Sequence, residues 1–202
     1  AGALTSFRTP LLESDDMVVV GMAIRAYSPA DHAFLRFMDI GGNTLLTVEM
    51  TGDSDTIAFN VRLGSITGMV IGTFSMAASL TDRQYLEFKV IAADDPDGYW
   101  EARINGSTIA YGEDVQTTSG ATAIRKVIFG LQDDGASGDI MIDDLYIINS
   151  LGSVNNDFLG DIVVETINPD TDGDLLEWTP SSGLDLSNMI DDGIPDDDTT
   201  YL

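Results

Sequence analysis

The chain has 202 residues, no cysteine, and 34 acidic against 9 basic side chains, which gives a formal net charge of −25. So acidic a surface repels duplex DNA and anionic membranes, and we expect neither nucleic acid nor membrane as a partner. Without cysteine there are no disulfides and no thiolate metal sites. No run approaches the ~18 apolar residues that a membrane span needs.

Strict alternation of apolar and polar residues predicts β-strands along most of the chain, and no stretch has the clear spacing of an amphipathic helix. A short extended segment, Phe7–Glu13, precedes the first long apolar run. Ten strands are predicted after it: Met17–Tyr27, Phe34–Ile40, Thr44–Met50, Thr56–Leu63, Met69–Phe74, Tyr85–Val90, Tyr99–Ile104, Ser107–Tyr111, Ala123–Leu131 and Asp139–Ile148. The pattern predicts an all-β, antiparallel two-sheet sandwich or jelly roll.

Turn signals separate these strands. Asn105-Gly106 supplies two residues that tolerate positive φ, which is the strongest short-range signal of a hairpin. Ser75–Thr81 is predicted as a connection with room for one helical turn. Asp143-Asp144 interrupts an apolar strand, so either one carboxylate faces inward or the strand has a bulge there. The single histidine, His32, is expected to be a surface residue of the turn that begins at Pro29.

The composition changes after Ile148. Residues 149–202 contain neither Lys nor Arg, and they have only short apolar islands. Such a segment cannot bury enough apolar surface alone to offset its ordering entropy. The chain is therefore divided into a jelly roll at 1–148 and an acidic extended C-terminal arm at 149–202, which lies on its own sandwich or on a neighbouring subunit.

The central block resembles the concanavalin A-like (LamG-type) jelly roll. The residues that carry this resemblance are Leu86–Val90, Gly98–Gly106, Ile128–Gly130 and Ile142–Tyr146. In that family the strand–Asn-Gly–strand hairpin and the late Asp-Asp-aromatic strand belong to two packed antiparallel sheets. The resemblance therefore implies a concanavalin A-like fold, and it is only weakly informative about function.

The arm resembles the C-terminal part of a group of tailed-bacteriophage virion structural proteins, in which such an arm follows a LamG-like domain. The matching residues are Ser153–Asp161, Val164–Thr166, Asp172-Gly173, Trp178–Pro180 and Asp196–Tyr201. Members of that group usually have more residues before Met17 and after Tyr201. We therefore expect sequence to be missing at both ends, which would leave an open sheet edge for a neighbour to fill.

This second resemblance implies a non-enzymatic virion structural protein, a capsid decoration or a tail component. Its partners would be other copies of itself and other virion proteins, and its location the virion. The arm and the sheet edges would make the contacts. The residues expected to contact other subunits are Phe158, Leu159, Ile162, Val164 and Trp178.

An alternative function is a carbohydrate-binding module for host-surface glycans, with or without calcium. Tyr99, Trp100 and Tyr111 could form a platform on which sugars stack, although such aromatic residues more often belong to a core. Asn168–Gly173 matches the first half of a calcium loop, with Asp170 and Asp172 as ligands, but Thr179 stands where a bidentate Glu is needed. No cofactor is therefore predicted, and calcium is left open.

Catalysis is not expected from the sequence. A glucanase on this fold needs closely spaced carboxylates on one strand, one as nucleophile and one as acid. No Glu-x-Asp-x-x-Glu run exists here, and Glu87 and Glu101 are isolated on their strands beside Lys89 and Arg103. No residue is therefore predicted to be catalytic.

Overall fold

The computed structural model describes residues 6–10, 12, 15–27, 32–52, 55–118, 120–130, 139–151 and 153–164. The described residues form eleven strands in chain order: β1 (Ser6–Arg8), β2 (Met17–Tyr27), β3 (His32–Met38), β4 (Thr44–Gly52), β5 (Thr56–Leu63), β6 (Val70–Ala77), β7 (Ser79–Ile91), β8 (Gly98–Ile104), β9 (Ser107–Val115), β10 (Lys126–Gly130) and β11 (Asp139–Asn149). This part of the chain contains no apolar helix of membrane-spanning length.

The strands build two antiparallel sheets. The six-stranded sheet has the order β1-β10-β3-β4-β5-β6, and the five-stranded sheet has the order β11-β2-β7-β8-β9. Neighbours in space are often distant in sequence, as in a jelly roll, because the chain passes repeatedly from one sheet to the other. The all-β two-sheet jelly-roll sandwich predicted from the sequence is confirmed.

The core lies between the sheets and is rich in aromatic residues. Phe59 and Phe74 stack with ring centroids 4.6 Å apart, and Phe88 and Trp100 stack at 6.2 Å. These side chains come from alternate positions of their strands, so every second residue faces the opposite sheet. A second, smaller cluster lies on the outer face of the five-stranded sheet and contains Met17, Val19, Ala23, Tyr85 and Tyr146.

Two turn predictions are visible in the backbone. Asn105 and Gly106 have φ values of 51° and 77°, so the β8–β9 hairpin has the two consecutive positive φ angles of a type I′ turn. In β11 the register with β2 shifts between Asp143 and Tyr146, and Asp144 has a φ of 49°. The acidic pair is therefore accommodated by a bulge.

Two local predictions were wrong. Ser75–Thr81 is not a connection with a helical turn, since β6 continues to Ala77 and β7 begins at Ser79. His32 is not a surface turn residue, because β3 begins there and its side chain is only 2% exposed. Both errors come from placing the strand ends two or more residues away from where pairing with the neighbouring strand extends them.

The chain divides into two compact units, residues 1–163 and residues 164–202. The first unit therefore includes residues 149–163, which the sequence analysis had placed in the arm. Residues 165–202 lie outside the described part of the chain.

A candidate ligand groove and a covered sheet face

A groove opens where the two sheets end beside each other. β6 is the last strand of the six-stranded sheet and β9 the last strand of the five-stranded sheet, and the two lie side by side. The groove has a volume of about 370 Å³. Its lining residues are Ile71, Gly72, Thr73, Trp100, Thr108, Ile109, Ala110 and Tyr111. Two of the three residues predicted to bind sugar, Trp100 and Tyr111, are thus brought together.

Trp100 closes the inner end of the groove. It is held by stacking on Phe88 and is 2% exposed. Its indole lies against two glycines from the flanking edge strands: a Cβ added at Gly72 would come within 1.9 Å of Cζ2, and one at Gly112 within 2.4 Å of Nε1. The glycines therefore make the slot that the indole occupies.

The indole N–H of Trp100 is the unusual polar group of this groove. Nε1 is buried and has no hydrogen-bond partner. A buried tryptophan N–H usually finds an acceptor, and an unpaired one costs free energy. Nε1 lies against Gly112, so β9 encloses this donor and the groove does not expose it.

The outer part of the groove is apolar and exposed. Tyr111 and Ile109 on β9 are 59% and 40% exposed. On the facing side, Val70 immediately precedes the groove residue Ile71 and is 42% exposed. Tyr111 is paired with Glu101, so its ring projects from the outer face of the five-stranded sheet at the rim of the groove, where the apolar face of a ligand can pack on it.

Tyr99 is not among the groove residues. Its hydroxyl donates a 2.7 Å hydrogen bond to Oε2 of Glu101, while Arg103 Nε and Thr108 Oγ1 donate to Oε1 at 2.7 Å and 2.6 Å. Burial alone would raise the pKa of Glu101, but these hydrogen bonds prevail and lower it. The cluster keeps Glu101 ionised and Tyr99 protonated, which makes it a structural network on the outer face of the five-stranded sheet.

The same face is covered by residues 157–162, which we call the strap. Phe158, Leu159 and Ile162 of the strap pack on the outer cluster of Tyr85 and Tyr146. Three of the residues predicted to contact other subunits are thus placed on the chain's own sandwich, and Val164 is exposed. Trp178 lies outside the described residues. The prediction of subunit contacts stays a prediction.

Polar contacts hold the strap in place. Asp161 receives hydrogen bonds from Arg83 Nη1 at 2.7 Å and 2.8 Å, and Asp157 pairs with Lys89 Nζ at 3.0 Å. The guanidinium carbon of Arg103 lies 3.7 Å from the ring centroid of Phe158. Cation–π contact and ion pairing therefore act on both ends of the strap.

Glu87 lies beneath the strap with 0% exposure. Its Oε1 accepts hydrogen bonds from the Tyr146 hydroxyl and, at 2.8 Å, from the backbone N–H of Gly160. Burial, followed by the hydrogen bond to Glu87, raises the pKa of Tyr146 far above its ordinary range. The sequence showed this carboxylate only as an isolated residue, because the strap that encloses it is remote in the chain.

The predicted calcium ligands Asp170 and Asp172 lie outside the described residues. Within the part of the chain that the structure describes, no three His, Asp or Glu side chains converge as a metal site would require. Sequence reasoning also missed Gly72 and Gly112, although a glycine inside a strand pattern signals close approach of another group.

No protein-family model and no curated protein matches the chain. Solved structures similar to it include an endo-β-1,4-glucuronan lyase from the fungus Trichoderma reesei, with 10% identity, coverage of 71% of this chain and 73% of that one, and a TM-score of 0.49. A heptameric SAP-like pentraxin from Limulus polyphemus has 16% identity, coverage of 70% and 68%, and a TM-score of 0.47. A tetrameric galectin from the ball sponge Cinachyrella sp. has 16% identity, coverage of 71% and 98%, and a TM-score of 0.40.

The comparison corrects one prediction from the sequence. The conclusion that the protein is not an enzyme is wrong as drawn, because the similar structures include polysaccharide lyases, the glucuronan lyase and the alginate lyase Aly36B, beside lectins. The absent carboxylate run argued against one kind of glycoside hydrolase and not against other chemistry on the same fold.

Proposed function

We propose that the protein binds carbohydrate through the groove between β6 and β9. The observation that carries this proposal is the open groove between β6 and β9, which Trp100 closes at its inner end and Tyr111 borders at its rim. Tyr111 and Ile109 at the rim add exposed apolar surface. The groove volume of about 370 Å³ falls within the range usual for small-molecule sites.

The chemistry of the groove suits a sugar. A pyranose ring has apolar C–H faces, which pack on aromatic and aliphatic side chains, and hydroxyl oxygens, which accept hydrogen bonds. Thr73 offers a hydroxyl that donates or accepts, and Thr108 Oγ1, whose hydrogen is donated to Glu101, offers an acceptor. Because β6 and β9 are edge strands, their outward backbone groups are also open to a ligand.

A glycan array with and without chelator tests for binding and for any need for calcium. On a glycan that binds, Tyr111→Ala and Ile109→Ser should each weaken affinity about tenfold, which corresponds to the loss of one good contact. Ser75→Ala is the matched control, since Ser75 is exposed on β6 but is not part of the groove. Failure of every glycan to bind, or binding that both groove variants leave unchanged, would overturn the proposal.

A role as a virion structural protein is a second candidate. It is favoured by the two consecutive valines that follow the strap, Val163 and Val164, which are 65% and 59% exposed where the first compact unit ends. Exposed branched side chains at that point suit contact with another copy or with another virion protein. Mass spectrometry of purified phage particles tests the location, and absence of the chain from all particles would refute it.

A further inference from the structure

Only some of the basic side chains of this acidic protein form ion pairs. Arg62, Arg83, Lys89 and Arg103 form ion pairs with Asp or Glu. The other five basic residues form no ion pair among the described contacts, although acidic residues outnumber basic ones by 34 to 9: Arg8, Arg25, Arg36, Arg125 and Lys126. With acidic side chains in such excess, each basic side chain would be expected to have an acidic partner, so the unpaired ones point to another role.

Three of these five lie together on the outer face of the six-stranded sheet. Ile128 of β10 is paired with Arg8 on one side and with Arg36 on the other, so the side chains of Arg8, Ile128 and Arg36 lie on the same face of the sheet. The neighbours Val127 and Phe129 are fully buried in the core, which places this row on the outer face. Lys126 is on the same face, two residues before Ile128.

Strand spacing fixes how close the charges are. Arg8 and Arg36 are two strands apart, about 10 Å between backbones, and Lys126 is diagonal to Arg36 at about 7–8 Å. Long basic side chains span such distances easily. We call Arg8, Arg36 and Lys126 the cationic patch.

Two described carboxylates close to the patch in the strand pairing already have partners. Glu49 Oε2 accepts hydrogen bonds from Arg62 Nε at 2.7 Å and from Asn60 Nδ2 at 2.8 Å. Asp39 Oδ2 accepts one from Asn43 Nδ2 at 2.7 Å. Within the described residues, Arg8, Arg36 and Lys126 form no ion pair, so we take the charge of the patch as open to a ligand.

The patch and the groove are connected through the sheet. The pairing row that starts at Arg8 and Arg36 continues through Thr47 and Arg62 to Val70 of β6. Val70 is next to Ile71 of the groove lining. The whole row spans five strand intervals, about 24 Å, so one extended polymer is long enough to contact both regions.

We propose that the cationic patch binds the carboxylate or sulfate groups of an acidic polysaccharide whose chain also enters the groove. This inference rests on the proposed carbohydrate-binding function and specifies its ligand class. Guanidinium groups pair with planar or tetrahedral oxyanions through two parallel N–H donors. The acidic remainder of the surface repels polyanions elsewhere, so binding is favoured where three unpaired basic side chains lie together.

The test compares polymers that share a backbone and differ in charge. Binding of the full chain to dextran sulfate is measured against dextran, and binding to polygalacturonate against its methyl ester, at low and high NaCl. We expect the charged member of at least one pair to bind about tenfold or more tightly and to lose affinity as salt rises. The sulfate and carboxylate arms show which anionic group is preferred.

Substitutions in the cationic patch test whether the preference for charged polymers depends on it. Arg36→Gln with Lys126→Gln should remove the preference for the charged polymer and leave binding of neutral glycans unchanged. Arg25→Gln is the matched control, because Arg25 is another unpaired arginine but belongs to β2 in the five-stranded sheet. Circular dichroism and thermal unfolding of each variant confirm that the fold is retained.

The outcomes separate this inference from the proposed function. If neutral glycans bind through Tyr111 and charge makes no difference, the patch inference is overturned and the groove stands. If charged polymers bind through Arg36 and Lys126 but Tyr111→Ala has no effect, the groove proposal fails and the inference of one chain that contacts both regions is overturned. If the patch variant only abolishes self-association in light scattering, the patch serves a second copy and the inference is overturned.

Discussion

At the scale of single residues, Trp100 and its two glycines decide the shape of the groove. Neither Gly72 nor Gly112 has a positive φ. Glycine is required at both positions because the indole of Trp100 lies directly over their backbone and leaves no room for a Cβ. The cost of a side chain at either position is therefore steric.

Gly72→Ala should lower the free energy of unfolding by about 1–3 kcal/mol, because the new methyl group overlaps the indole and moves it. Urea denaturation followed by tryptophan fluorescence measures this. Ser75→Ala on the same strand is the control, and an equal, small effect of both substitutions would contradict the close packing of Trp100.

The buried tyrosines give a prediction for alkaline pH. Burial raises the pKa of Tyr85 and of Tyr146 far above the value of about 10 that a tyrosine has in the unfolded chain. The folded state therefore keeps both protons while the unfolded state releases them, so stability is complete below about pH 10 and falls above it. Each group contributes a loss of up to about 1.4 kcal/mol per pH unit.

Thermal unfolding between pH 8 and pH 11.5 measures this loss. Tyr146→Phe should be less stable at pH 8, since Glu87 loses a hydrogen-bond donor, but should show a shallower decline above pH 10. A parallel decline in the variant and in the unaltered protein would refute the assignment to Tyr146.

At the scale of elements, the strap is the segment that packs on the sandwich without being a strand. It has no strand partner, and its order comes from side-chain contacts with β7, β8 and β11. Such a segment opens locally at lower free energy than the sheets beneath it.

Phe158→Ala should release the strap while the sandwich stays folded, because the stack on Arg103 and the packing on the outer cluster are lost. Hydrogen exchange should accelerate at the amides of Leu159 and Gly160, which donate to Tyr146 and Glu87. Val154→Ala, at an exposed position, is the control. Unchanged exchange at both amides would show that the polar contacts alone hold the strap.

At the scale of the whole molecule, the net charge of −25 determines how stability depends on salt. Self-repulsion destabilises the compact state, and salt screens it, with a Debye length that falls from about 30 Å at 0.01 M to about 10 Å at 0.1 M. Most acidic side chains have no basic partner available, so screening of repulsion outweighs the weakening of ion pairs.

We therefore expect the midpoint of thermal unfolding to rise between 10 mM and 500 mM NaCl. A gain of about 1 kcal/mol corresponds to a rise of about 2–4 °C for a chain of this size. Sucrose at matched osmolality is the control for non-ionic effects. A midpoint that falls with salt would mean that the ion pairs of Arg83 and Lys89 contribute more than the repulsion costs.

The strands and their turns follow from local features of the sequence. Period-2 alternation and Asn105-Gly106 depend on local backbone preferences, and these predicted the two-sheet sandwich and the hairpin. At Asp143-Asp144 the sequence left open an inward carboxylate or a bulge, and the structure has the bulge. The ends of β3 and β6 were misplaced because pairing with a neighbouring strand, rather than local preference, extends them.

The candidate site depends on contacts between segments that are far apart in the chain. Trp100 and Tyr111 were named from the sequence, but the groove exists because β6 and β9, remote in the chain, end beside each other. The cationic patch arises from cross-strand pairing of Arg8 and Arg36 through Ile128, and the burial of Glu87 from the strap. Contacts between distant segments depend on topology and register, which local patterns do not encode.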